Sequence, residues 1–170
     1  MFLARKEFSD RIISISPALP GNMLQIDTLR LKIFGSTLLT GKPFRFTSEI
    51  AKQHLMANID PDVVAETSKY FVDEPASLIW EYALMKKYTK LSREDLDHLK
   101  NNVKGLIITG TEDRMCSATK QKDLSKMLGF EQIEIQCRHT PQLGPHHGKI
   151  LDGIMQFIAN HQELPKGKAS

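Results

Sequence analysis

Residues 103–139 read VKGLIITGTEDRMCSATKQKDLSKMLGFEQIEIQCRH. Val103 to Thr109 make an apolar run of strand length, rich in β-branched residues, that ends in Gly110-Thr111-Glu112-Asp113. A polar stretch from Thr119 to Leu128 follows with apolar residues at helical spacing, and Gly129 supplies the stop expected of a helix. QIEIQ (132–136) then predicts a second strand that ends beside His139. Strand, helix and strand in this order close a right-handed crossover between parallel neighbours, so both strands leave the sheet at the same edge. Asp113 and His139 are thereby expected at adjacent strand ends, where open α/β sheets collect their chemistry.

The rest of the chain is read outward from this unit. Asp10-Arg11 leads into IISIS and Pro17, which predicts a short strand. Residues 1–9, with Phe2, Leu3 and Phe8 able to share a face, read as the tail of a helix. Between about Leu19 and Asn102 the pattern becomes helical. Thr47-Ser48-Glu49 opens a segment in which Ile50, Leu55 and Met56 face inward. Asp60-Pro61 opens another, with proline suited to the first turn, and Leu78, Tyr82 and Met85 recur at helical spacing after Pro75. Ser92-Arg93-Glu94-Asp95 is a capping box with Asp as its acid. After His139 the chain passes through Pro141, Leu143 and Pro145 into a last helix. There Ile150, Leu151, Ile154, Met155, Phe157 and Ile158 make a broad apolar face suited to lying on a sheet. The tail from Leu164 is polar.

Composition narrows the classes. The 170 residues are 41% hydrophobic and 25% charged, the balance of a globular protein with one good core. The net charge of +3, from 23 basic and 20 acidic residues, is spread along the chain without a basic stripe, so nucleic-acid binding receives no support. No apolar window has transmembrane length. Two cysteines, Cys116 and Cys137, are too few for a disulfide framework, and MFLARKE has too short an apolar run for a signal peptide. The expected location is the cytoplasm.

In this order the parts resemble the second half of an α/β-hydrolase. A strand of the type DRIISISP, a helical insertion, a strand of the type LIITGTED carrying the acid in G-x-x-D (Gly110 to Asp113), and a histidine turn (His139-Thr140-Pro141-Gln142-Leu143) ahead of the last helix all occur here. The resemblance covers about residues 1–160. It implies an α/β fold, specifically a partial α/β-hydrolase fold with a short parallel sheet, flanking helices and a helical lid insertion. Residues 1–18 and 103–163 would belong to the core, 19–102 to the lid, and 164–170 to a loose tail. It further implies hydrolysis of a carboxylic ester or related small substrate, without metal or organic cofactor, with His139 as the base and Asp113 as the acid that fixes its tautomer.

Two departures from the family pattern stand out. Arg138 occupies the place before the histidine where the family usually has glycine. No G-x-S-x-G occurs, so the nucleophile elbow and oxyanion donors are expected upstream of Met1, and Ser14, Ser16 and Ser36 lack the elbow's setting. The first strand would then expose an apolar edge open to self-association. Three readings follow: part of a serine hydrolase, a non-catalytic remnant acting as an interaction module, or a small enzyme with an unrecognised nucleophile.

Each residue also has a plainer reading. Asp113 could be a solvated turn or helix-capping residue, with Glu112 as its substitute in the acid's role, and His139 a structural loop histidine. His146 and His147 read as surface residues; His54, His98 and His161 lie in helical stretches where exposure is the default. Cys116, Cys137 and His139 match no usual zinc spacing and are better read as two reduced thiols and an imidazole. Phe71, Trp80, Tyr82 and Met85 suit either a lid pocket or a helical core.

Overall fold

The computed structural model describes residues 10–20, 23, 28–83 and 90–162. The expected helix within residues 1–9, Met85 and the tail from Leu164 lie outside these residues, and the Tyr82 side chain is not described.

Three parallel strands form the sheet in the order β1-β2-β3: β1 Arg11–Ile15, β2 Lys104–Gly110 and β3 Glu131–Ile135. Ile13 pairs with Leu106, and Ile108 pairs with Ile133, so β2 sits between the other two. Central position explains its composition. A strand covered on both faces has no use for polar alternation, and Gly105 through Gly110 are all buried.

On one face, Ile12, Ile107, Leu124 and Leu128 pack with Leu99 of α5 (Arg93–Asn102) against α6 (Ala118–Leu128). On the other, Leu106, Ile108 and Ile135 meet Ile150 and Phe157 of α7 (His147–Asn160). The expected broad face of α7 is narrower than six residues: Ile154 and Ile158 join this core, but Leu151 and Met155 are each 58% exposed. Only the stripe centred on Ile150 and Phe157 has sheet beneath it. Gly153 abuts Ile133 of β3, and Leu151 and Met155 fall on the opposite side of the helix from it.

Helix ends follow their capping chemistry. Gly129 closes α6 with φ of 68°, a left-handed conformation that favours glycine. At α5, Asp95 N–H donates to the Ser92 hydroxyl (3.0 Å) and Ser92 N–H donates to the Asp95 carboxylate (3.0 Å), which is the expected reciprocal box.

Between β1 and β2 the chain is helical: α1 Thr28–Thr40, α2 Ser48–Ile50 running into a π-turn over Ala51–Leu55, α3 Pro61–Ser68, α4 Ala76–Ala83 and then α5. Thr47 caps α2, and Asp60 caps α3 with Pro61 in its first turn. Ala51, Leu55, Met56 and Val64 form a separate apolar cluster with Phe46 and Phe71, so Phe71 is a core residue of the insertion. Leu78 and Trp80 are exposed at 50% and 41%, and the α4 surface they occupy has no cover among the described residues. None of the helices described is long and apolar enough to cross a membrane.

Candidate active site

Asp113 follows β2 by a turn in which its own N–H donates to the Gly110 carbonyl (3.1 Å). One carboxylate oxygen, Oδ1, accepts from Met115 N–H (2.8 Å) and Cys116 N–H (2.9 Å), which fixes the side chain to the start of the loop before α6. The other, Oδ2, faces the Nδ1 of His139 at 2.9 Å. The Asp113 side chain is wholly buried and that of His139 is 26% exposed. A carboxylate removed from water is stable only when hydrogen-bonded, and this one takes four donors.

The fourth donor is Gln121, whose Nε2 lies 3.1 Å from Oδ2. The same amide group donates to the Cys116 carbonyl, and its Oε1 accepts from the Thr109 hydroxyl (3.3 Å). Thr109 in turn accepts from Gln132 Nε2 (3.2 Å). A polar chain therefore runs under the sheet edge from Gln132 on β3 through Thr109 and Gln121 to Asp113 and His139. No pattern in the sequence singled out Gln121. Its signal was a polar residue at the head of the buried α6 stripe that continues through Leu124, Ser125 and Leu128.

His139 is set by its neighbours. The carbonyl oxygens of Cys137 and Arg138 lie where a Cβ on Gly110 would fall, so only glycine lets the histidine turn cross the end of β2. On the far side, Thr140 donates through its N–H (3.3 Å) and hydroxyl (2.9 Å) to the Leu55 carbonyl. That carbonyl belongs to the π-turn, where the i−4 pairing of an α-helix is displaced by one residue. Leu143 and Met115 also pack on the apolar cluster of the helices between β1 and β2. Those helices thus rest on both site loops.

With Asp113 on Nδ1, the His139 Nε2 is left for other chemistry. Among the described residues no hydroxyl or thiol bonds to it. Ser16, at the end of β1, is buried with φ of 45° and an unpartnered hydroxyl, but Pro17 follows it in place of a helix. Cys137 is a free, buried thiol whose pKa is pushed up to about 11 by burial, then by Asp113 and Glu112, which keeps it protonated at neutral pH. Cys116 is also buried and in no disulfide. Among the described residues no group of three His, Cys, Asp or Glu side chains is placed to hold a metal.

The remaining candidates are scattered. Glu112 is exposed on the rim of an open cleft of about 390 Å³ that Thr111, Asp113, Arg114 and Arg138 also line. His147 is exposed, whereas His161 bonds to Glu131 (2.7 Å) and lies against Phe157. His54, expected on the surface, is 8% exposed inside the π-turn.

No protein-family model matches the chain, and no curated protein matches it in sequence. Solved structures do match in shape. A hydrolase from Pseudomonas aeruginosa PA01 aligns with a TM-score of 0.56 at 14% identity over 88% of this chain and 55% of its own. A methylesterase from Arabidopsis gives 0.57 at 12% identity, over 89% and 59%. A peroxisomal α/β-hydrolase from Saccharomyces cerevisiae gives 0.51 at 13% identity, over 92% and 48%. The chain therefore spans about half the length of the structures it matches. Its fold is that of part of an α/β-hydrolase.

Proposed function

We propose that the chain supplies the acid and histidine of an α/β-hydrolase that cleaves a small carboxylic ester by a Ser-His-Asp triad. The observation that carries this reading is the 2.9 Å contact between the buried Asp113 carboxylate and His139 Nδ1 at a shared sheet edge. The carboxylate keeps the proton on Nδ1, so Nε2 presents a lone pair. Nε2 takes the nucleophile's proton as it attacks the ester carbonyl, and the imidazolium that forms is stabilised by Asp113. The proton then passes to the departing alkoxide. Residues 19–102 act as the lid and select the acyl or alcohol part.

The chain contains no G-x-S-x-G, so the nucleophile and oxyanion donors have to come from outside it. The purified chain is accordingly expected to hydrolyse no p-nitrophenyl ester and to resist a fluorophosphonate probe. The test reads the genomic sequence upstream of Met1 and assays the longer in-frame product. An in-frame G-x-S-x-G and an ester turnover that falls on the order of a millionfold in His139→Ala support the proposal. Turnover that survives His139→Ala contradicts it.

The β1 edge favours one alternative. Ile13 and Ile15 are exposed there at 38% and 36%, which suits a non-catalytic module that pairs with another chain. An upstream stop codon with no motif in frame, together with a soluble chain silent to the probe, would select this second reading.

A further inference from the structure

Arg138 is the residue that departs from the family pattern, and its surroundings give that departure a use. It immediately precedes His139 and lines the cleft shared by Thr111, Glu112, Asp113 and Arg114. Its Nε is buried without a hydrogen-bond partner. Guanidinium donors are strongly hydrated, and burying one unmet is costly unless something fills the place.

A second unmet polar atom lies nearby. His54 is buried, and its Nδ1 has no partner. The hydrogen bonds from Thr140 to the Leu55 carbonyl bring the two segments together, placing His54 beside the turn that carries Arg138. The charges that lower the His54 pKa beside burial are cationic: Arg138, Arg114 and Lys32. Together with burial, the larger effect, they hold the imidazole below its ordinary pKa. No acid among the described residues bonds to Arg138 or Arg114. The site thus combines two orphaned polar atoms with three positive charges, one residue from the candidate base; the acids on the cleft are Asp113, already held by its own four donors, and Glu112 on the rim.

We propose that Arg138 and His54 form an anion subsite that seats a carboxylate of the substrate beside His139. The inference rests on the hydrolase reading for the word substrate, and it deepens that reading by naming a class: monoesters that carry a free carboxylate at their other end. The planar guanidinium fork matches a carboxylate in two parallel hydrogen bonds. A single negative charge suits the position better than a phosphate dianion, because Glu112 stands on the same rim. Arg114 strengthens the field without a bonding role.

The test needs no turnover. Monomethyl succinate, dimethyl succinate and inorganic phosphate are titrated into the full chain, and the histidine resonances are followed by NMR. The monoanion is expected to shift His54 and His139 and to bind at least tenfold more tightly than the neutral diester or phosphate. Arg138→Gln should weaken it by about tenfold to a hundredfold, the range for a charged hydrogen bond. Arg138→Lys should recover part of that loss, and Lys126→Gln, far from the cleft, should change nothing. Because the Arg138 side chain bonds to no other group among the described residues, Arg138→Gln should keep the parent's melting temperature. If Arg138→Gln fails to fold, the Arg138→Lys and diester comparisons carry the test. Equal binding of the diester, tighter binding of phosphate, or parental affinity in a folded Arg138→Gln overturns the proposal. Monoanion binding by a chain whose longer product shows no His139-dependent turnover leaves the subsite standing and removes only the hydrolase reading.

Discussion

Asp113 takes four hydrogen bonds and uses them for two purposes. Met115 and Cys116 N–H groups hold Oδ1 in place, while Gln121 and His139 share Oδ2. A wholly buried carboxylate is not the solvated residue of the plain reading, but its bonds to the Met115 and Cys116 N–H groups are those of a turn residue and are compatible with the functional role. The same carboxylate affects Cys137, whose thiol is raised to about 11 chiefly by burial and then by Asp113 and Glu112. At pH 8 a thiol of that kind is about one part in a thousand thiolate. Cys137 should thus react with iodoacetamide on the order of a hundredfold or more slowly than an ordinary exposed thiol, as read by mass spectrometry over time. Reaction at the rate of an exposed thiol would restore it as a candidate nucleophile. Asp113 and His139 were legible because each follows a recognisable strand. Gln121 and His54 were not, because a polar residue on a helix reads as solvated until the neighbour that covers it is known.

Elements with local signals were readable in sequence. The strands fall within one residue of where alternation and proline placed them, and Thr47, Asp60, Ser92 and Gly129 mark helix ends by their own side-chain or backbone chemistry. The π-turn at Ala51–Leu55 had no such mark: its residues carry no cap of their own, and its last carbonyl, that of Leu55, accepts from the distant Thr140. At α5 the capping box makes a prediction about pH. The Ser92 hydroxyl, and after it the Ser92 N–H, hold Asp95 below its ordinary value of 3.8. A carboxyl depressed in the folded state adds stability above its unfolded value, and that stability is lost as pH falls through the lower, folded value. In urea titrations at pH 7, Ser92→Ala should cost about 1 kcal/mol. The smaller gap between the parent and Asp95→Asn should close as the pH drops below 3.8. A gap that stays constant through the acid range would show that the carboxylate does not act as described.

At the level of the whole molecule, the sheet is covered on both faces at β2 and open at β1. Ile13 and Ile15 on the strand, and Leu151 and Met155 on α7, are apolar groups with incomplete cover among the described residues. The matched Pseudomonas hydrolase is longer, and this chain spans 55% of it. The α/β class and the crossover were legible because they follow from short-range order; what covers β1 is a long-range matter that no local pattern encodes. The purified chain should associate in a concentration-dependent way in sedimentation experiments. Ile13→Lys, which puts a charge on the edge, should shift it towards monomer. A parent chain that stays monomeric at high concentration would count against an open edge.

If the buried Asp113 carboxylate orients His139, it decides which ring nitrogen carries the proton. Nitrogen-15 NMR of the neutral imidazole reads this directly. The proton is expected on Nδ1 in the parent chain, with transfer to Nε2 in a substantial fraction of molecules in a folded Asp113→Asn. A parent His139 protonated on Nε2, or a tautomer unchanged by Asp113→Asn, would contradict it.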